Sequence, residues 1–329
     1  MSNRFTLEHL EAAAARVHAV IAPTPQHCWP LLSARVGAEV WVKHENHTPV
    51  GAFKVRGGVF HLANLKAAQP GLSGVISATR GNHGQSVAFA ARRVGLAASI
   101  VVPRQNSVEK NAAMRALGAT LIEHGSDFQA AYEYAIGLAT ERRLHFVDSF
   151  ATDLIQGVAS YALELFGGVA ALDRVYVPIG LGSGICAVIA ARDALNLTTE
   201  IIGVVAERAA AYALSFSAGR PVSTNSADTM ADGMACRVPK AEAVAIIAKG
   251  AANVVTVSEE EIRAAMRAYF TDTHNVAEGA GAAPLAAALN DRASNAGKRI
   301  ALVLSGGNID RSLYMAVLAE PDAAERRRA

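Results

Sequence analysis

The chain has 329 residues, 51% hydrophobic and 18% charged, with a formal net charge of +2, enough apolar material for sizeable cores in a soluble body of two lobes. Near-neutral charge gives no pull toward nucleic acid or an anionic membrane, and apolar runs are broken by Gly, Pro or charge well before the ~20 residues that span a bilayer. Cys28, Cys186 and Cys236 are far apart and match no metal or redox spacing, and the acidic N-terminus lacks a long apolar run, so the expected location is the cytoplasm.

In chain order, Thr6 to Ile21 reads as an amphipathic helix, with Leu7, Leu10, Ala14 and Val17 three or four apart, Thr6 as N-cap and Pro23 as the stop. Ala38 to Val42 reads as a strand, and it feeds the stretch Lys43 to Gly58. There Lys54 stands between Phe53 and Val55, with Gly51 and Ala52 before it and Gly57 and Gly58 after. An ammonium that loses water in such small or apolar surroundings has its pKa lowered, and a partly neutral lysine is a nucleophile toward carbonyl compounds. A surface lysine opening a helix is the plainer alternative.

From residue 74 a regular alternation begins. Strands are expected at Gly74 to Ala78, Ala98 to Val102, Thr120 to Glu123 and Leu144 to Val147, with helices at Gln85 to Val94, Val108 to Leu117 and Asp127 to Arg142. Later strands are Arg174 to Ile179, Glu200 to Ala206, Val254 to Val257 and Ile300 to Leu304. Strands alternating with helical patterns imply an α/β fold with mainly parallel sheets and helices on both faces. No internal repeat or low-complexity linker interrupts the pattern. The basic end, Arg326 to Arg328, reads as a solvated tail.

Six stretches carry chemistry-bearing residues, and together they support a resemblance. Glu45-Asn46 followed by Gly51-Ala52-Phe53-Lys54-Val55-Arg56-Gly57-Gly58 resembles the lysine motif of pyridoxal-phosphate enzymes of the tryptophan-synthase-β fold type, more narrowly the serine/threonine dehydratase branch. Pro23-Thr24-Pro25 with Leu31-Leu32-Ser33 is similar to the segment that precedes it. Thr79-Arg80-Gly81-Asn82-His83-Gly84-Gln85 resembles the family's Ser-x-Gly-Asn-His-x-Gln, with Thr79 for the serine and Arg80 where a small residue is usual. Ile179 to Cys186 stands for a run of four glycines, here Gly180, Leu181, Gly182, Ser183 and Gly184. Thr229 to Met234 resembles the Ala-Asp-Gly segment, Ala277 to Ala283 the Glu-Gly-Ala-Gly-Ala run, and Leu304-Ser305-Gly306-Gly307-Asn308 the Leu-Ser-Gly-Gly-Asn loop.

The resemblance implies a tryptophan-synthase-β-like fold in which residues 74–151 form a small domain inserted into a large one, 1–73 with 152–329, the cofactor lying between them. It implies pyridoxal 5'-phosphate held by Lys54 with Phe53 beside its ring, Asn82 on the ring hydroxyl and Ser305 on the ring nitrogen. The phosphate falls to Gly180, Leu181, Gly182, Ser183 and Gly184 at a helix start, where backbone N–H groups favour anions. Thr79, Arg80, Gly81, Asn82 and His83 are expected to hold the substrate carboxylate, and Glu278 to face the cofactor. A hydroxyl at Ser305, unlike an aspartate, does not force the ring nitrogen to stay protonated. No metal is expected, since Gly203-Val204 is followed by Val205 and neither Ala209 nor Ala211 offers a side-chain oxygen.

The activity so implied is a dehydratase, or ammonia-lyase, for a β-hydroxy-α-amino acid: threonine, serine, phenylserine or 3-hydroxyaspartate. Lys54 also removes the α-proton, the β-hydroxyl leaves, and the product breaks down to a 2-oxo acid and ammonia. A homodimer is implied as well. The chain ends soon after Asp310, without the length for a regulatory domain, which reads as catabolic. A racemase or β-replacement synthase of the same fold is the alternative, although arginine at position 80 makes a poor second base. Further alternatives are a catalytically silent binding protein and a nicotinamide-linked dehydrogenase. Gly180 and Gly182 fit that fingerprint and Glu207 fits its ribose ligand, but the third glycine would fall at Ile185.

Overall fold

The computed structural model describes residues 5–321; the tail Arg326 to Arg328 lies outside the described residues. Two strands come first, β1 (Gln26–Cys28) and β2 (Glu39–His44). Four more follow, β3 (Gly74–Ala78), β4 (Ala97–Val102), β5 (Thr120–Glu123) and β6 (His145–Phe146), and then β7 (Arg174–Pro178), β8 (Glu200–Ala206), β9 (Asn253–Val257) and β10 (Arg299–Leu304). They form a six-stranded sheet in the order β1-β2-β10-β7-β8-β9 and a four-stranded sheet in the order β5-β4-β3-β6. Every pairing is parallel except that of β1, which runs antiparallel along β2. β1 is too short and polar to show as a strand in the sequence, and it closes one edge of the larger sheet.

The expected helix Thr6 to Ile21 runs over Leu7–His18, and the Thr6 hydroxyl accepts from the His9 N–H. Asp127 caps the helix Phe128–Glu141 in the same way, through the Ala130 N–H. The helix after β3 starts at Asn82 rather than Gln85. Weak helix formers make up that first turn, so burial against the sheet rather than propensity starts it. Each sheet packs its own apolar side chains: Val40, Leu302, Val175 and Val204 belong to the larger core, while Val75, Ile100 and Val87 belong to the smaller. Helix Lys54–Ala68 joins the two layers, packing on both Asn82–Arg93 and Thr152–Gly168. Gly57 and Gly157 let the last contact close to backbone distance, since a Cβ on Gly157 would lie 2.6 Å from the Arg56 carbonyl oxygen. Among the described residues no helix is long and apolar enough to cross a membrane.

Within the larger sheet, β2, β10 and β7 are parallel neighbours, with Leu304 opposite His44 and Leu302 opposite Tyr176. Their carboxyl ends therefore open at one edge, where ligands of parallel sheets collect.

Candidate active site

Three loops leave the carboxyl ends of β2, β10 and β7 and meet. The Phe53 N–H donates to the Ser305 carbonyl at 3.0 Å, and the Gly307 N–H to the Gly51 carbonyl at 2.9 Å, so the first two loops zip together. Gly51 sits at φ +69°, and a Cβ there would lie 2.7 Å from Asn308 Oδ1, which leaves room for glycine alone. Lys54 opens its helix directly beyond this junction, with its Nζ 4.9 Å from the Phe53 ring centroid. Gly184 of the third loop backs the same ring, since a Cβ on Gly184 would lie 3.4 Å from Phe53 Cζ.

Lys54 keeps some exposure, yet burial pulls its amine down to about 8, against a smaller upward pull from Glu278. The neutral, nucleophilic form is thus within reach near neutral pH.

The glycine loop after β7 ends in the helix Ser183–Ala194, whose N-cap Gly182 lies at φ +100° and supplies no side-chain cap. First-turn N–H groups left without a cap form an anion site. Gly180 faces the Gly233 carbonyl so closely that a Cβ would lie 2.1 Å from its oxygen. Tyr212 and Tyr161 hydroxyls donate to the carbonyls of Leu181 and Gly184, at 2.7 and 3.3 Å, and fix the loop.

The smaller sheet contributes the loop after β3. Thr79 is buried and its hydroxyl accepts from the Gly81 N–H at 3.0 Å. Asn82 reaches across to the larger sheet, donating through Nδ2 to Glu278 Oε1 at 2.7 Å and accepting from Asn308 Nδ2 at 2.8 Å. His83 turns inward against the Val147 carbonyl, 3.5 Å away, and burial with help from nearby Lys54 lowers its ring to about 3. A neutral imidazole donates to that carbonyl and carries no charge toward a carboxylate. Arg80 points outward, 44% exposed, with Nη1 3.3 Å from Asp232 Oδ1.

Glu278 is buried beside Gly306, whose Cβ position would lie 2.7 Å from Glu278 Oε1. Burial pushes its carboxyl above the usual range, opposed by Lys110, Asn82 and Lys54. Of the residues singled out in the sequence, Phe53, Lys54 and Ser305 meet at the junction of the β2 and β10 loops, Gly184 of the loop Gly180–Gly184 lies against Phe53, and Asn82 bonds Glu278. Thr79 holds Gly81 in its loop, and Arg80 and His83 turn to either side.

Two sets of contacts carry no local signal. Lys110, Asp232 and Arg80 form an ion-paired bridge between the two sheet layers. Behind Lys54, the fully buried Arg56 donates to Glu45 at 2.7 and 3.0 Å and to Glu164 at 2.5 and 3.0 Å, with Lys43 also on Glu164. This cluster anchors the first turn that presents Lys54.

Residues 17–306 match the family described as pyridoxal-phosphate dependent enzyme. The chain is 35% identical over 306 residues to the L-threonine ammonia-lyase of Thermotoga maritima, covering 93% of this chain and 76% of that one. Among solved structures, threonine deaminase isoform 2 of Solanum lycopersicum superimposes with a TM-score of 0.90 at 29% identity, over 98% and 95% of the two chains. Serine racemase of maize gives 0.89 at 26% identity, over 98% and 99%.

Proposed function

This chain belongs to the pyridoxal-phosphate-dependent enzymes, and from that premise we propose that it is an ammonia-lyase converting a β-hydroxy-α-amino acid to a 2-oxo acid and ammonia. Pyridoxal phosphate is its cofactor, and the residues present fit it. An uncapped helix N-terminus behind a glycine loop suits the phosphate, and the Lys54 amine, its pKa lowered, stands beside the Phe53 ring. When bound, the cofactor supplies an electron sink for charge that develops at the substrate α-carbon.

The observation that carries the reading is the junction of the β2, β10 and β7 loops, which gathers Lys54, Ser305 and the Gly180–Gly184 cradle. In this reading Lys54 anchors the cofactor and, once free, takes the α-proton at its Nζ. Ser305 supports the ring nitrogen without a fixed charge, Asn82 meets the ring hydroxyl, and Thr79, Gly81 and Asn82 take the substrate carboxylate. The division into a small lobe, 74–151, within a large one, 1–73 and 152–329, belongs to the same reading and follows the two sheets. Arg80 favours a substrate with one carboxylate, because its guanidinium already pairs with Asp232; threonine and serine fit that better than 3-hydroxyaspartate.

A homodimer is part of the reading. Leu31, Phe270 and Met315 are 59%, 41% and 61% exposed. Phe270 lies on the helix Glu259–Thr273, which packs on the helices of the other two, and exposed apolar side chains on neighbouring helices suit an interaction face. Three unpaired cysteines suit the reducing cytoplasm.

A second reading, racemisation, is favoured by the likeness to maize serine racemase. Against it, the cations near the Arg80 position, Arg80 and Lys110, are both ion-paired with Asp232 and make poor bases. The test is a screen of the cofactor-loaded enzyme with threonine, serine, phenylserine and 3-hydroxyaspartate. Stoichiometric 2-oxo acid and ammonia are expected from threonine or serine. Formation of the opposite enantiomer without oxo acid would reverse the assignment.

A further inference from the structure

Lys110 lies in the helix Val108–Ala116 and keeps only 9% of its surface exposed, a degree of burial lysine seldom tolerates without a partner. Its stem runs directly under the loop that follows β3: a Cβ on Gly81 would lie 2.6 Å from Lys110 Cδ. Its ammonium crosses to the larger sheet and donates to Asp232 Oδ2 at 3.1 Å. A partly open cavity of about 50 Å³ between the layers is lined by Lys110, Asp232, Glu278, Asn308 and Asp310, so Lys110 and Glu278 border one space. Glu278 in turn receives the Asn82 N–H, and the Asn82 oxygen receives the Asn308 N–H.

We propose that Lys110 is a positioning residue: held under Gly81 and tied to Asp232, its ammonium keeps Glu278 anionic, and that anion fixes which way the Asn82 amide points. A proton on Glu278 Oε1 would put an O–H where Asn82 now donates, so the amide would have to turn over and the bond from Asn308 would be lost. A proton on Oε2 would leave Oε1 a neutral and weaker acceptor for Asn82. Four charged groups set the balance at Glu278. Lys110 and Lys54 favour its anion, while Asp232 and burial oppose it, and Arg80 bears on Asp232 from outside. Lys110 itself stays charged against burial because Glu278, Asp232 and Asp310 surround it. The consequence for turnover rests on the function proposed above, in which Asn82 lies against the cofactor; the electrostatic part does not.

The test breaks one ion pair from both ends. Were the Lys110–Asp232 bridge only a brace, Lys110→Met and Asp232→Asn would act alike. The proposal requires opposite effects: Glu278 titrates at higher pH in Lys110→Met and at lower pH in Asp232→Asn, each by on the order of 1 pH unit. The readout is the infrared carbonyl band of the protonated acid in cofactor-free protein, assigned by its loss in Glu278→Gln. Lys110→Arg should restore the wild-type midpoint, and in the loaded enzyme the pH profile of pyridoxal absorbance should move in the same two directions. Shifts of the same sign, or none in variants with native circular dichroism, would overturn the proposal. Should Lys110→Met not fold, Asp232→Asn decides alone, and an unmoved midpoint there sinks the idea. Opposite infrared shifts in a protein that shows no response to any amino acid would instead keep Lys110's role and remove the ammonia-lyase.

Discussion

Replacing Arg56 by Met removes a guanidinium that is fully buried and donates to Glu45, Glu164, Ser160 and Thr24. Methionine keeps much of the volume, so the loss is mainly electrostatic. Glu164 then keeps Lys43, Glu45 keeps no ion pair among the described residues, and removing one partner of a buried pair costs about 3–5 kcal/mol. Against a typical total of roughly 5–15 kcal/mol that is a large fraction. Urea unfolding of the cofactor-free protein measures it, because bound cofactor would add its own stabilisation. The loss should also depend on pH. Burial works to raise the Glu164 carboxyl, but Arg56 and Lys43 outweigh it and hold it below the usual range. The wild-type contribution is therefore present above the unfolded value of ~4.3 and fades as pH falls through the lower folded value. Arg56→Met should lose most near neutral pH and least in acid, and adding Glu45→Gln should recover part of the loss. A loss below about 1 kcal/mol at neutral pH, the scale of an exposed pair, would refute the reasoning.

With the Lys54 amine near 8, its neutral fraction grows about tenfold between pH 7 and pH 9 and then levels off, so pyridoxal phosphate uptake by cofactor-free protein should do the same. A rate that keeps climbing past pH 10 would mark an ordinary lysine. Gly180→Ala should weaken cofactor binding sharply, because its Cβ would overlap the Gly233 carbonyl and displace the phosphate cradle; an unchanged Kd from absorbance titration counts against that role. Ser305→Asp should hold the ring nitrogen protonated and divert product toward racemisation or transamination, and an unaltered product mixture would show that this side chain does not reach the ring.

What the sequence shows best is what local chemistry dictates. Short apolar runs mark the strands, and β3, β5 and β8 fall at Gly74–Ala78, Thr120–Glu123 and Glu200–Ala206 as expected. Lys54, Ser305 and the Gly180 loop are legible as a group through the family resemblance, and the gathering of loops at one edge of a parallel sheet agrees with it. The helix Thr152–Gly168 gives no such signal, since its buried positions, Leu154 through Leu165, run around most of its surface and blur the 3.6-residue period. Lys110 is equally silent: a lysine in the first turn of an amphipathic helix looks solvated, and its partner Asp232 is 122 residues away. Arg56 stands in the lysine motif, but its purpose depends on Glu164, 108 residues on. Buried charges are defined by partners that only the fold supplies.

In the function proposed above, Lys54 is the residue that carries the cofactor. Loading the protein with pyridoxal phosphate, reducing it with borohydride and mapping the modified peptide by mass spectrometry tests this most directly. The reduced cofactor is expected on the peptide containing Lys54, with neither label nor bound chromophore in a folded Lys54→Ala variant. Label on Lys43 or Lys110 instead, or full labelling of Lys54→Ala, would contradict the account.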